Sequence, residues 1–192
     1  MSTADVVVLL FGGRRSPRPL RGLPVVDDPD ADCRRLVVVG TDSDLASVLT
    51  RLMRTDRLHI EVAHVRRSWQ ARRALSGSAT RVPLIRDDTG TVIVGAAEWR
   101  GAETGRPVHG EAVVDDTVLF DGEVPGVRIE PTTAMPGLRA TVLGTRPRRW
   151  VAGRAAQLGT TGAVLVRDGA PHPRVVTRST LYRHTEGWLR VR

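Results

Sequence analysis

Residues 36–53, LVVVGTDSDLASVLTRLM, change from an unbroken apolar run to an amphipathic period across a single turn. The run Leu36, Val37, Val38, Val39 has no polar position, as a parallel strand covered on both sheet faces requires. Gly40 ends the strand. Thr41 or Asp42 can cap a following helix through a side-chain oxygen, and Asp44 puts negative charge in its first turn, where the helix dipole favours it. Leu45, Val48, Leu49, Leu52 and Met53 then fall at i, i+3, i+4, i+7 and i+8, with Ser47, Thr50, Arg51 and Arg54 on the opposite face. The pattern predicts strand, turn and helix over 36–54. Residues 5–11 predict a second buried strand, ending at Gly12 and Gly13 and lying beside the first. Residues 14–33 are rich in Pro, Arg and Asp, have no apolar period and predict a surface loop. Since a parallel crossover normally carries a helix, either residues 20–26 cover that sheet face irregularly or the helix has been lost. A third strand is expected over 58–65, then a short helix over 68–75 capped by Ser68.

From residue 82 the pattern shortens to apolar stretches punctuated by turn signals every eight to twelve residues. Strands are expected at 82–86, 91–99, 112–120, 126–130, 138–143, 150–158, 163–167, 175–184 and 188–191, with a loop over 101–110. The turn signals are Asp87-Asp88-Thr89-Gly90, Asp121-Gly122, Pro136-Gly137, 159–162, Asp168-Gly169 and Glu186-Gly187. The fold class is therefore α+β. A small N-terminal α/β portion with a parallel sheet, 1–78, precedes a β-rich, antiparallel, sandwich-like portion, 79–192. A cleft between two such portions is a usual place for a ligand.

Composition removes several chemistries. All 29 basic residues of the 192 are arginine, so Schiff-base catalysis, pyridoxal phosphate attachment and a Walker lysine are impossible. The net charge of +8 would suit nucleic acid or an anionic surface. Lysine and asparagine are absent and isoleucine is scarce beside valine, however, so A/T-rich codons are avoided and much of the arginine excess follows from that. Aromatics at 4% are too few for a single-strand stacking platform, which disfavours a nucleic-acid partner. Cys33 alone can build neither an internal disulfide nor a cysteine metal cluster. With no apolar run of membrane-span length and no basic region ahead of the 5–11 strand, the chain is expected to be cytoplasmic.

Metal and nucleophile patterns are equally sparse. No two histidines stand i, i+4 on a helix; His59 and His64, five apart, project to opposite strand faces, and His109, His172 and His184 read as surface or hairpin residues. Asp27, Asp28, Asp30 and Asp32 lack the ligand spacing of a calcium loop and are expected to form a solvated acidic loop facing Arg34 and Arg35. No metal ligands are therefore expected. No Gly-x-Ser-x-Gly elbow occurs, and Cys33 lies in the acidic loop, where carboxylates suppress a thiolate. Arg174, Arg178 or Arg183 could hold a phosphate or carboxylate, or else Tyr182 and Trp188 simply close the core of a C-terminal hairpin. Phosphate recognition survives, because a strand feeding a helix through a glycine turn aims backbone N–H groups and the positive dipole end past the strand's carboxyl end.

At that turn, Val39-Gly40-Thr41-Asp42-Ser43-Asp44 resembles the Gly-Gly-Asp-Gly-Thr signature of the diacylglycerol kinase and NAD kinase superfamily. The layout is similar too. The resemblance implies an N-terminal α/β domain and a C-terminal β-rich domain, with ATP and magnesium bound between them. It puts Gly12-Gly13 in the place of a first phosphate-facing loop, without the usual Asn-Pro, and offers Asp121-Gly122-Glu123 or Asp168-Gly169 for an Asp-Gly-Glu element of the second domain. It marks Asp42 as the candidate catalytic residue and Gly12, Gly13, Gly40, Thr41, Ser43 and Asp44 as candidate phosphate contacts. Only Gly40 and Asp42 keep the signature. Thr41 and Ser43 add side chains where glycines let phosphate approach, and Asp44 adds a carboxylate whose repulsion of a phosphate some 4 Å away is on the order of 1 to 4 kcal/mol. The expected protein is thus of diacylglycerol-kinase-like architecture with a degenerate turn, binding a phosphate-bearing small molecule or a protein partner without phosphotransfer. The alternatives are an active small-molecule or lipid kinase, which alone would need ATP and magnesium, and an arginine-rich module for nucleic acid or anionic surfaces.

Overall fold

Strand β3 (Cys33–Val39) is buried along nearly its whole length, and the rest of the first unit is built against it. In the computed structural model, which describes residues 4–103 and 105–192, the chain forms two units, Met1–Val82 with Glu186–Arg192, and Pro83–Thr185. Ahead of β3 come β1 (Ala4–Leu10), a 3-10 turn (Arg18–Leu20) and β2 (Val25–Val26). After it come α1 (Asp42–Arg54), β4 (Glu61–Val65), a second 3-10 turn (Ser68–Gln70), α2 (Ala71–Ser76) and β5 (Ala79–Val82). The second unit contains β6 (Ile85–Asp87), β7 (Val92–Ile93), β8 (Ala97–Gly101), β9 (Val108–Val114), β10 (Thr117–Val124), β11 (Val127–Pro131), β12 (Leu138–Val142), β13 (Val151–Gly153), β14 (Ala155–Arg167), β15 (Ala170–Pro171) and β16 (Val176–Arg183). The chain then returns to the first unit with β17 (Trp188–Val191).

The first sheet runs β2-β1-β3-β4-β17-β5, parallel throughout except for β5. Val37 and Val39 pack on one face with Leu20, Ala71 and Ala74, so of the two alternatives the irregular cover holds: a 3-10 turn, with Leu20 buried and Leu23 packed beside it, covers the sheet in place of a helix. Leu36 and Val38, completely buried, point to the other face. α1, the crossover helix between the parallel strands β3 and β4, buries Leu45, Ala46, Val48, Leu49 and Leu52 along one face. Buried Arg35 fastens α2, donating to the carbonyls of Ala74 (3.0 Å), Leu75 and Gly77 (2.9 Å) and pairing with Glu61 at 2.7 Å. It thereby satisfies orphan carbonyls at the helix end. The helix expected over 68–75 is a 3-10 turn followed by α2, and Gln70 rather than Ser68 closes its start, accepting from the N–H groups of Arg66 (2.8 Å) and Arg67 (2.9 Å). The acidic loop also pairs differently from expectation: Asp30 holds Arg51 and Arg57, whereas Arg34 binds Asp5 and Glu61.

The second unit is an antiparallel sheet, β13-β12-β11-β8-β14-β16-β6-β7, with the β9-β10 hairpin attached along β14. Its core surrounds Trp99, whose Nε1 donates to the buried Ser179 Oγ at 3.0 Å. The turn expected at 159–162 is an irregularity inside the single strand β14, shifting its partner from β9 to β8. The strand expected over 112–120 is broken by a turn at Asp115, which has φ 48°, and the Asp121-Gly122 pair expected to turn lies within β10. Asp115 wins because its carboxylate accepts from the N–H groups of Arg154 (3.0 Å) and Ala155 (3.0 Å), partners distant in sequence. Glycine is required at position 110, where a Cβ would lie 2.1 Å from the Gly159 carbonyl oxygen on β14.

Candidate functional site

Three loops leave the carboxyl ends of β1, β3 and β4 side by side. Phe11 N–H donates to the Val39 carbonyl (3.0 Å) and Gly40 N–H to the Val65 carbonyl (3.3 Å), so the turns after Leu10, Val39 and Val65 start level with one another. Gly12 and Gly13 have φ 62° and 65°, and a Cβ on either would meet nothing within 4 Å. Glycine there serves the left-handed backbone conformation, and no other part of the chain packs against it. Arg14 crosses the gap, Nη1 donating to the Arg66 carbonyl at 3.1 Å.

The central turn is closed by its own side chains. Thr41 Oγ1 accepts from Asp44 N–H (3.2 Å) and donates to Asp44 Oδ2 (2.8 Å), and Thr41 N–H donates to the same carboxylate oxygen at 2.7 Å. This is a capping box with aspartate in the glutamate position. A Cβ on Gly40 would meet Asp44 Oδ2 at 2.6 Å, so Gly40 is small to admit the Asp44 carboxylate. Asp42, at the first helical position, forms an ion pair with Arg66 (3.1 Å) and faces His64 Nδ1 at 3.8 Å. His64 Nε2 lies 3.2 Å from the Gly40 carbonyl, so in the neutral ring Nε2–H donates to that oxygen and the Nδ1 lone pair faces Asp42. Burial pulls the imidazole below its ordinary range, against the opposite pull of Asp42 and the Gly40 carbonyl and with help from Arg66. Such a turn supplies two carboxylates, a neutral imidazole and the guanidinium groups of Arg14 and Arg66.

All seven sequence-derived candidates, Gly12, Gly13, Gly40, Thr41, Asp42, Ser43 and Asp44, therefore lie at this one edge of the parallel sheet. Arg14, His64 and Arg66 were missed. The available signal was position: Arg66 directly follows β4 as Gly40 follows β3 and Phe11 follows β1, and strand carboxyl ends are where α/β sheets gather ligands. The other candidates lie elsewhere. The Asp168 carboxylate accepts from the N–H groups of Val94 (3.0 Å), Gly95 (2.6 Å) and Ala96 (3.0 Å), a structural clamp. Asp121 and Glu123 are exposed, two residues apart on one face of β10. Arg183 donates to the Pro136 carbonyl (3.0 Å), Tyr182 stacks under Arg86, and Trp188 belongs to the first sheet, so no C-terminal hairpin joins Tyr182 and Trp188. Cys33 is buried, which pushes its thiol up and suppresses the thiolate. Among the described residues no group of three or more His, Cys, Asp or Glu could hold a metal ion, and no helix is long and apolar enough to cross a membrane.

The chain shares its fold with solved NAD kinase and diacylglycerol kinase-like structures. A putative diacylglycerol kinase from Bacillus anthracis str. Sterne superposes with TM-score 0.73 at 11% identity, covering 98% of this chain and 96% of that one. An NAD kinase from Archaeoglobus fulgidus, solved in complex with ATP, gives 0.66 at 11% identity, covering 98% and 93%. Yeast NADH kinase, complexed with NADH, gives 0.64 at 8% identity, covering 98% and 83%. No protein-family model matches the chain, and no curated protein matches it in sequence.

Proposed function

We propose that this protein binds a phosphate-bearing ligand or a protein partner on a kinase-like scaffold without transferring phosphate. The observation that supports it is the Asp44 carboxylate, hydrogen-bonded to Thr41 N–H and Oγ1 and filling the clearance above Gly40. A phosphate at this turn would meet a negative charge where the superfamily signature has threonine, and would compete with that charge for the Thr41 N–H. Isothermal titration of the chain with Mg-ATP, Mg-ADP, NAD and inorganic phosphate, beside Asp44→Thr, tests the reading. The parent is expected to bind phosphate groups weakly and to show no turnover on lipid or small-molecule acceptors. Asp44→Thr is expected to bind inorganic phosphate at least roughly fivefold more tightly, the low end of the repulsion removed. Unchanged affinity would refute the role of Asp44.

The kinase reading rests on Asp42, the one acidic residue of the signature retained at its place, with its carboxylate partly exposed beside His64 and Arg66. It requires ATP and magnesium. Turnover in the parent that disappears in a folded Asp42→Asn variant would establish it and overturn the binding-only reading.

A further inference from the structure

The layer covering the Val37–Val39 face of the first sheet is made by residues 12–23 and 66–76, each with four arginines and neither with an Asp or Glu. The fold joins the two segments. Leu20 is buried with Ala71 and Ala74, and Arg14 donates to the Arg66 carbonyl. The small apolar side chains face the sheet, and Arg15, Arg18, Arg21, Arg67, Arg72 and Arg73 are exposed. None of these six makes an ion pair among the described residues. A general arginine excess does not account for this, since in the same unit Arg34, Arg35, Arg51 and Arg81 each have a carboxylate partner. Among them stands Trp69, 71% exposed, whereas Trp99 and Trp188 are buried and Trp150 lies against Arg139.

We propose that this face docks on an anionic lipid bilayer, with Trp69 seated at the headgroup level and the surrounding arginines against anionic headgroups. Indole favours the bilayer interface because its body is apolar and its N–H is polar, and each arginine near an anionic surface strengthens partition roughly fivefold at low salt. Nucleic acid fits less well. Trp69 is the only aromatic residue in the two segments, whereas strand binders stack successive bases, and helices of three and six residues are too short to follow a major groove. The proposal is independent of what binds at the Gly40 turn.

Sedimentation of the full chain with sucrose-loaded vesicles tests it, using phosphatidylcholine alone and mixed with phosphatidylglycerol. Binding is expected to the mixed vesicles only, weakening with salt. Arg18→Gln/Arg72→Gln/Arg73→Gln should lower it by roughly tenfold or more, and Trp69→Ala should lower it and abolish the blue shift of tryptophan emission on vesicle addition. The control, Arg146→Gln/Arg148→Gln/Arg149→Gln, removes the same charge from exposed positions of the second unit and should leave binding intact. Thermal unfolding checks that every variant is folded. Equal loss in the two triple variants would reduce the effect to net charge and overturn the proposal. So would absence of binding to the mixed vesicles, or binding of the face to single-stranded DNA in place of vesicles.

Discussion

His64 shows how one residue's surroundings become a property of the folded chain. It sits on β4 with a largely buried side chain, between the Gly40 carbonyl and the Asp42 carboxylate. Burial holds its pKa below the ordinary value, and the nearby carboxylate only partly offsets this. In the unfolded chain the ring takes up a proton near pH 6.5. Below that pH the unfolded state binds a proton that the folded state resists, so stability falls as pH drops through 6.5 towards the folded pKa and is flat in this respect above it. His64→Gln can keep a donor to Gly40 and removes the titration. Urea midpoints of parent and variant, compared at about pH 7.5 and about pH 5.5, should show a smaller acid loss in the variant. An equal loss would show that His64 does not couple to folding.

At the scale of elements, legibility follows distance along the chain. The turn and helix from Gly40 to Arg54 could be read because the capping box and the buried stripe are local: the box joins residues three apart, and the stripe repeats every three or four. The β9-β10 hairpin could not. Asp121-Gly122 has the better turn chemistry, yet the chain turns at Asp115 because Arg154 and Ala155 supply N–H donors from forty residues on. β14 likewise contains the glycine signals of a turn, but partners on both sides carry the strand through them. Asp115→Ala should therefore destabilise the second unit by about 1–3 kcal/mol, the cost of leaving those donors without their acceptor and placing alanine at positive φ. Asp116→Ala, at the next turn position, should cost under about 0.5 kcal/mol. Chemical denaturation of the two variants distinguishes this assignment from a turn that tolerates either change.

For the whole molecule, the apolar pattern specifies the fold and leaves the chemistry open. At 11% identity or below, the kinase structures share the layout over 98% of this chain, while the turn at Gly40 is filled by the Asp44 carboxylate. A fold recurs with different sites. The position of the candidate turn was legible because a strand, a glycine and a capped helix define a place in any α/β sheet; its neighbours Arg14, His64 and Arg66 were not, because they arrive from two other strands. The last strand was the least legible. Residues 188–191 read as one more strand of the β-rich portion, since nothing in their spacing says which sheet receives them, but β17 lies between β4 and β5 in the first sheet, with Trp188 and Val191 buried. Ending the chain at Thr185 therefore takes an interior strand from the first unit and exposes the backbone donors and acceptors of β4. Hydrogen exchange followed by mass spectrometry should show amide protection lost over 36–39 and 61–65 and retained over 97–101 and 155–167, because the second unit keeps its Trp99 core. Protection surviving at 61–65 would mean that the first sheet stands without β17, contrary to the burial of both its faces.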